Sequence, residues 1–332
     1  MSIFLRLIFL AYFLIGCSQE ESKQQVVTDL KIPKTAGHFF VLHRFNDNEH
    51  KSSSITNDNL IKHFKYLKKH NYYTATLDEI ITKMKNREDI PDNWVHFCID
   101  DSYKSFYANG LPLFKKYKIP FTIYIYVEAT QRHYKDFMSW DQIKETMKYG
   151  SIGVHSFGHK HMTHMTPKEM KEDTQKALVL LEKNLGFKPT TYAYPYGEYD
   201  KTLFDVIKSF NFDLILNQNQ GAFSKKSPAD DLDRIALTGD VSIKQKLRIK
   251  YLPAKWTKVN VDRKTNTLKS ISLEIDPSIK SVECYVTGDT WHRLKPKNGK
   301  ITKIFNIKLK KSRSRIIIKT PGNAWTSQII VL

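Results

Sequence analysis

The sequence predicts an α/β fold followed by a small C-terminal β-sandwich. Two observations carry the first part. Apolar runs of strand length, Val95 to Ile99 and Thr122 to Val127, stand apart along the chain, and the text between runs has helical spacing, with Leu60, Ile61, Phe64 and Leu67 on one stripe. A third observation carries the second part. From residue 243 the texture changes to short β-branched or alternating segments, with Thr287-Gly288-Asp289 and Lys297-Asn298-Gly299 as turns between them. Charge changes at the same place: residues 241–332 hold 21 Lys and Arg against 5 Asp and Glu, a net of +16, whereas residues 1–240 hold 32 against 29, a net of +3.

Taken in order, residues 1–17 read as a secretory signal, with one cation at Arg6 and an apolar run that closes on Leu14-Ile15-Gly16-Cys17-Ser18. That box resembles the cleavage site of bacterial lipoproteins. The resemblance implies a membrane anchor through lipid on Cys17 and an exported protein, periplasmic or on the outer membrane of a Gram-negative-type cell. Residues 18–36 are polar and form a tether, residues 37–242 the α/β domain and residues 243–332 the basic β-sandwich. Segments at Leu268 to Ile275, Val282 to Val286, Ile301 to Leu309, Arg315 to Lys319 and Gln328 to Leu332 supply its strands. With Cys17 assigned to lipid, only Cys98 and Cys284 remain; a disulfide between them is open, but Cys98 lies inside an apolar strand and reads as a core residue. Stability must then come from the core.

Candidate chemistry sits where the Val95 to Ile99 run ends, in Asp100-Asp101-Ser102, and some fifty residues later in His155-Ser156-Phe157-Gly158-His159. A buried strand delivers both carboxylates to the rim of a core. Two imidazoles and one carboxylate leave positions open on a divalent ion, which is what a metal needs to acidify water, while the second carboxylate stays free as a base. Adjacent aspartates are also common helix N-caps, and loop histidines are often only surface residues. A third motif, Tyr192-Ala193-Tyr194-Pro195-Tyr196-Gly197, shifts the balance toward a site.

In that order and at those separations the three motifs resemble the polysaccharide deacetylases, carbohydrate esterase family 4, over roughly residues 37–240. Phe40-Val41-Leu42-His43-Arg44-Phe45 is similar to the first strand of the branch that acts on poly-N-acetylglucosamine. The resemblance implies a distorted (β/α) barrel with its site where loops follow strand ends. It implies Asp101, His155 and His159 as ligands of a divalent ion, zinc by default, with cobalt, nickel and iron suited to the same donors. Asp100 is then the general base, the Tyr196 N–H a donor to the oxyanion, and Tyr194, Pro195 and Arg234 substrate-binding positions, Arg234 also being placed to orient Asp100.

Three departures from the family pattern stand out. Ser102 replaces a common Gly, Ala193 replaces a common Arg, and the late stretch Arg234 to Asp240 lacks the His that serves the family as general acid. His43 and Asp240 are the remaining candidates for that proton. His161 and His164 read as solvated loop residues. The implied substrate is an N-acetylated amino-sugar polysaccharide of the cell surface or secreted matrix. The basic C-terminal region fits an anionic envelope polymer, and an export signal argues against nucleic acid as its partner. Peptidoglycan deacetylation and a non-catalytic carbohydrate-binding lipoprotein are the competing readings, the second favoured by the missing late His.

Overall fold

The computed structural model describes residues 29–332, so the signal and the lipidation reading at Cys17 lie outside the described residues. The first part is a curled parallel sheet. Its strands are β1 (His38–Leu42), β2 (Tyr73–Thr74), β3 (Trp94–Ile99), β4 (Phe121–Ile125), β5 (Ser151–Val154), β6 (Thr191–Ala193), β7 (Leu214–Leu216) and β8 (Ile235–Ala236). They lie in the order β8-β1-β3-β4-β5-β6-β7, with β2 beside β3 and every pairing parallel. One strip joins the two edges: the Leu232 N–H donates to the Ile215 carbonyl at 2.9 Å, and the Leu237 N–H donates to the Val41 carbonyl at 3.1 Å.

Strands in such a sheet are buried on both faces, which is why they read as nearly continuous apolar runs. Side-chain alternation sorts them. Phe40, Phe97, Ile99, Ile123 and Val154 pack outward on the helices, where Leu60, Phe64 and Leu67 of helix Asn57–Lys69 and Leu178 and Leu181 of helix Pro167–Leu185 meet them. Val41, Cys98, Tyr124, Ala193 and Leu216 face the other way, into the interior of the curl. Gly153 on β5 makes room there, since a Cβ at that position would come within 2.3 Å of the Tyr124 ring. Thr166 caps the Pro167–Leu185 helix with a reciprocal Glu169 bond, and Gly186 ends it at φ +82°. Strand β4 stops at Ile125, short of the expected Val127, because Val127 opens a short helix whose second N–H turns to the Phe157 carbonyl at 2.9 Å.

Two sheets follow, antiparallel except where Lys250–Tyr251 runs parallel to Ala324–Val331 at the edge of the first. One joins Arg313–Lys319 to Ala324–Val331 on one side and Val282–Val286 on the other; the second sets Thr267–Glu274 between Lys255–Asp262 and Lys300–Lys308. Leu268, Ile271 and Ile301 of the second meet Val282, Cys284, Ile316 and Ile318 of the first in a common core. Asn298 and Gly299, at φ +48° and +78°, make the tight turn that the Asn-Gly pair announces. The Lys255–Asp262 strand escaped the sequence reading because register shifts at Trp256 and Asn260 break its alternation. Before the sheets, Ile243, Leu247 and Ile249 still pack in the core of the parallel sheet. Cys98 and Cys284 are both free thiols, buried in separate clusters. Among the described residues no helix is long and apolar enough to cross a membrane.

Candidate active site

Alternation along β3 decides where the two carboxylates go. Cys98 faces the interior, so Asp100, two residues on, points the same way; Arg234, just before outward-facing Ile235 on β8, points inward to meet it. The pair is bidentate, with Arg234 Nη1 and Nη2 donating to Asp100 Oδ1 and Oδ2 at 2.7 and 2.8 Å, and Arg234 Nε donating to the Asn217 carbonyl at 2.7 Å. Both side chains are fully buried. Burial pushes the Asp100 carboxyl up, but the Arg234 charge prevails and holds it below the usual range, so it is ionised at neutral pH. Gln218 Nε2 makes a long 3.5 Å contact to the same carboxylate, and His43 Nε2 lies 3.9 Å from it.

After Asp100 the backbone leaves the strand. Asp101 and Ser102 take left-handed φ values of +72° and +58°, which swing Asp101 across to the histidines. Ser102 thus holds a conformation in which glycine is at ease, and its hydroxyl donates to the Asp101 carbonyl at 2.5 Å. The histidine loop is organised by Asp173, a buried acid on the apolar stripe of helix Pro167–Leu185, whose oxygens accept the N–H groups of Phe157 and Gly158 at 2.8 Å each. Ser156 Oγ accepts the His159 N–H at 2.9 Å.

Asp101 Oδ1 then lies 3.2 Å from His155 Nε2 and 2.9 Å from His159 Nε2. His155 Nδ1 donates to the Ala193 carbonyl at 2.7 Å, so its Nε2 presents a lone pair. Asp101 Oδ1 and His155 Nε2 are both buried without a hydrogen-bond partner. Two facing lone pairs need a cation between them. The three ligand atoms lie within 4.8 Å of one another, a donor set of one carboxylate and two imidazoles that fits a divalent ion. Against the effect of burial, the Asp100 and Asp101 carboxylates raise the His155 pKa, so they favour positive charge at that place.

Tyr196 overlooks the ligands from the Pro195–Gly197 turn at φ +58°, ψ 0°. Its ring stands 4.6 Å from that of His159, stacks on His161 at 4.2 Å, and its hydroxyl donates to the His159 carbonyl at 3.3 Å. Tyr126 packs on the other side of His159 at 5.1 Å. Gly197, at φ +68°, admits Gln218: a Cβ there would fall 2.4 Å from the Gln218 Cβ.

Several expected positions need correction. Tyr194 is fully buried and stacked on Tyr199 at 5.0 Å, Pro195 is buried in its turn, and Arg234 spends its donors on Asp100 and Asn217, so none of the three presents a surface to substrate. Asp240 is drawn off by helix Asn57–Lys69, where the Asn59 side-chain amide donates to it at 2.7 Å; it makes no contact with the cluster. His161 is half-exposed but not merely solvated, since its Nδ1 bonds the buried Glu198 at 2.7 Å. Sequence reasoning missed Asp173, Gln218 and Tyr126. Only Asp173 left a signal, as a carboxylate on the stripe Met170, Ala177, Leu178 and Leu181.

Residues 87–215 match the family model described as polysaccharide deacetylase. The chain is 28% identical over 217 residues to the poly-beta-1,6-N-acetyl-D-glucosamine N-deacetylase of Staphylococcus aureus, covering 60% of this chain and 73% of that protein. Its fold is similar to that of the deacetylase PplD of Streptococcus pyogenes, solved with acetate (TM-score 0.59, 21% identity, 66% of this chain and 98% of the other). The same holds for IcaB of Ammonifex degensii, with TM-score 0.57, 23% identity, and coverage of 62% and 93%.

Proposed function

We propose that this chain, whose residues 87–215 match the polysaccharide deacetylase model, is a hydrolase of amide bonds that removes acetyl groups from N-acetylglucosamine units of a bacterial cell-surface or secreted polysaccharide. The observation that carries the reading is the convergence of Asp101, His155 and His159 beside a second carboxylate, Asp100, held ionised by buried Arg234. The relative named for poly-beta-1,6-N-acetyl-D-glucosamine supports that polymer as substrate class. The three ligands would hold a divalent ion, zinc by preference, which supplies Lewis acidity to a water and to the acetamide carbonyl when bound.

The chain's own residues do the rest. Asp100 takes the proton of the attacking water, and Arg234 fixes the direction of its free lone pairs. The Tyr196 N–H donates to the oxyanion, Pro195 before it having none to offer. His43, 3.9 Å from Asp100 and one-fifth exposed, takes on the proton that Asp100 has accepted from the water and hands it to the departing amine; burial lowers its pKa, so the imidazole starts neutral and gives the proton up readily. Tyr126 and Tyr196 flank the sugar with apolar faces. The Leu14 to Ser18 box supports export with lipid on Cys17, and the positive excess of residues 241–332 supports contact with an anionic envelope polymer.

The test is acetate release from β-1,6-linked N-acetylglucosamine oligomers, chitooligosaccharide and purified sacculi, with the ion stripped and restored. Release from the first, lost on stripping and regained with Zn2+, is expected. Release only from sacculi makes the enzyme a peptidoglycan deacetylase. Binding of oligomer with no release at any metal loading refutes the reading.

A further inference from the structure

The C-terminal sheets reach into the catalytic loops. Along strand Arg313–Lys319 the side chains of Ser314, Ile316 and Ile318 are buried, Ile316 and Ile318 in the core of the sheets, so Arg313 and Arg315 emerge on the opposite face. There Arg313 Nη1 donates to the Tyr196 carbonyl, and Arg315 Nη2 donates to the Gln218 carbonyl at 2.7 Å. The neighbouring strand adds two bonds: the Ile329 N–H donates to Asn219 Oδ1 at 3.0 Å, and Ser327 Oγ accepts the Gln220 N–H at 2.5 Å. Neither arginine forms an ion pair among the described residues, so both direct their charge at backbone carbonyls.

The loops they hold are the ones the chemistry depends on. Tyr196 is a non-glycine residue in left-handed backbone, a strained state that persists only where surroundings over-determine it. Its N–H and its carbonyl belong to the two peptide planes joined at one Cα, so anchoring the carbonyl restricts the rotations by which the N–H could turn away. Gln218 joins the second loop to Asp100 and packs against Gly197 of the first.

We propose that Arg313 is a positioning residue of the active site, through which the C-terminal sheets complete it by holding the Pro195–Gly197 turn. The inference rests on the reading of the Tyr196 N–H as oxyanion donor. A displaced donor loses transition-state stabilisation while ground-state binding is kept, so kcat falls more than KM.

The experiment uses the full chain loaded with zinc, comparing wild type, Arg313→Ala and Arg313→Lys on a β-1,6-linked N-acetylglucosamine oligomer. Arg313→Ala is expected to lose about tenfold in kcat with KM within about twofold, because misplacement by a fraction of an ångström is felt at this scale. Zinc content and melting temperature stay at wild-type values, since Arg313 is exposed. Arg313→Lys, which keeps a donor, recovers most of the rate. Amide exchange in a peptide spanning residues 195–200 accelerates in the alanine variant and not in the barrel strands. An active wild type with unchanged kcat and unchanged exchange in Arg313→Ala overturns this inference alone. A wild type inactive on every polymer overturns the deacetylase reading beneath it.

Discussion

Replacing Arg234 with methionine probes the heart of the site. The guanidinium touches both oxygens of Asp100 at 2.7 and 2.8 Å with neither group exposed. At an effective dielectric of about 20 and a charge separation of about 4 Å the attraction is worth about 4 kcal/mol, roughly three pH units at 1.36 kcal/mol each. Burial already pushes the carboxyl up and would act unopposed. The bound ion returns part of the loss. The acid limb of kcat/KM for acetate release is therefore expected to move up by about two pH units. Stability changes too. An uncompensated buried carboxylate costs about 3–5 kcal/mol at neutral pH. In the wild type the depressed carboxyl contributes stability above its unfolded pKa and loses it as pH falls through the lower folded value; in Arg234→Met the folded value is raised, so the sign reverses and the variant gains stability as pH falls. Rates from pH 4.5 to 9 with a melting curve at each pH read both effects. An acid limb that does not move, or a variant as stable as wild type at pH 7, refutes the argument.

Three further outcomes follow from the same geometry. His43→Ala should keep its metal and lose about 10²-fold in kcat, the scale of one positioned proton transfer; a rate within twofold of wild type would remove His43 from the mechanism. Asp173→Ala leaves the Phe157 and Gly158 N–H groups unpaired, at a cost of about 1–3 kcal/mol in thermal unfolding, and should weaken metal binding by about tenfold through the loosened histidine loop. Metal affinity, followed by chelator competition, should fall about tenfold per pH unit once pH drops below the raised pKa of His155, because the proton and the ion compete for Nε2.

Much of the site was legible because strand periodicity is local. The run Val95 to Ile99 announced a buried strand, and its parity fixed which way Asp100 faces. The ordered motifs carried the rest of the metal cluster. What the sequence hid were long-range pairings. Arg234, 134 residues from Asp100, was named as its partner only through the family resemblance, and nothing in the sequence says that Arg313 would reach Tyr196 across 117 residues. Tyr194 misled for the opposite reason: it stands in the motif next to Tyr196, yet strand alternation sends it into the core while the left-handed turn sends Tyr196 to the ligands. The left-handed run at Asp101 and Ser102 was likewise invisible, since neither residue type demands it.

The division of labour between two adjacent carboxylates is the central claim, and one paired measurement tests it most directly: metal content and acetate release determined on the same preparations of Asp100→Asn and Asp101→Asn. The account predicts that Asp100→Asn retains its ion and releases no acetate, while Asp101→Asn loses the ion and the activity together. An Asp100→Asn protein that turns over normally, or an Asp101→Asn protein that holds its ion as tightly as wild type, would contradict it.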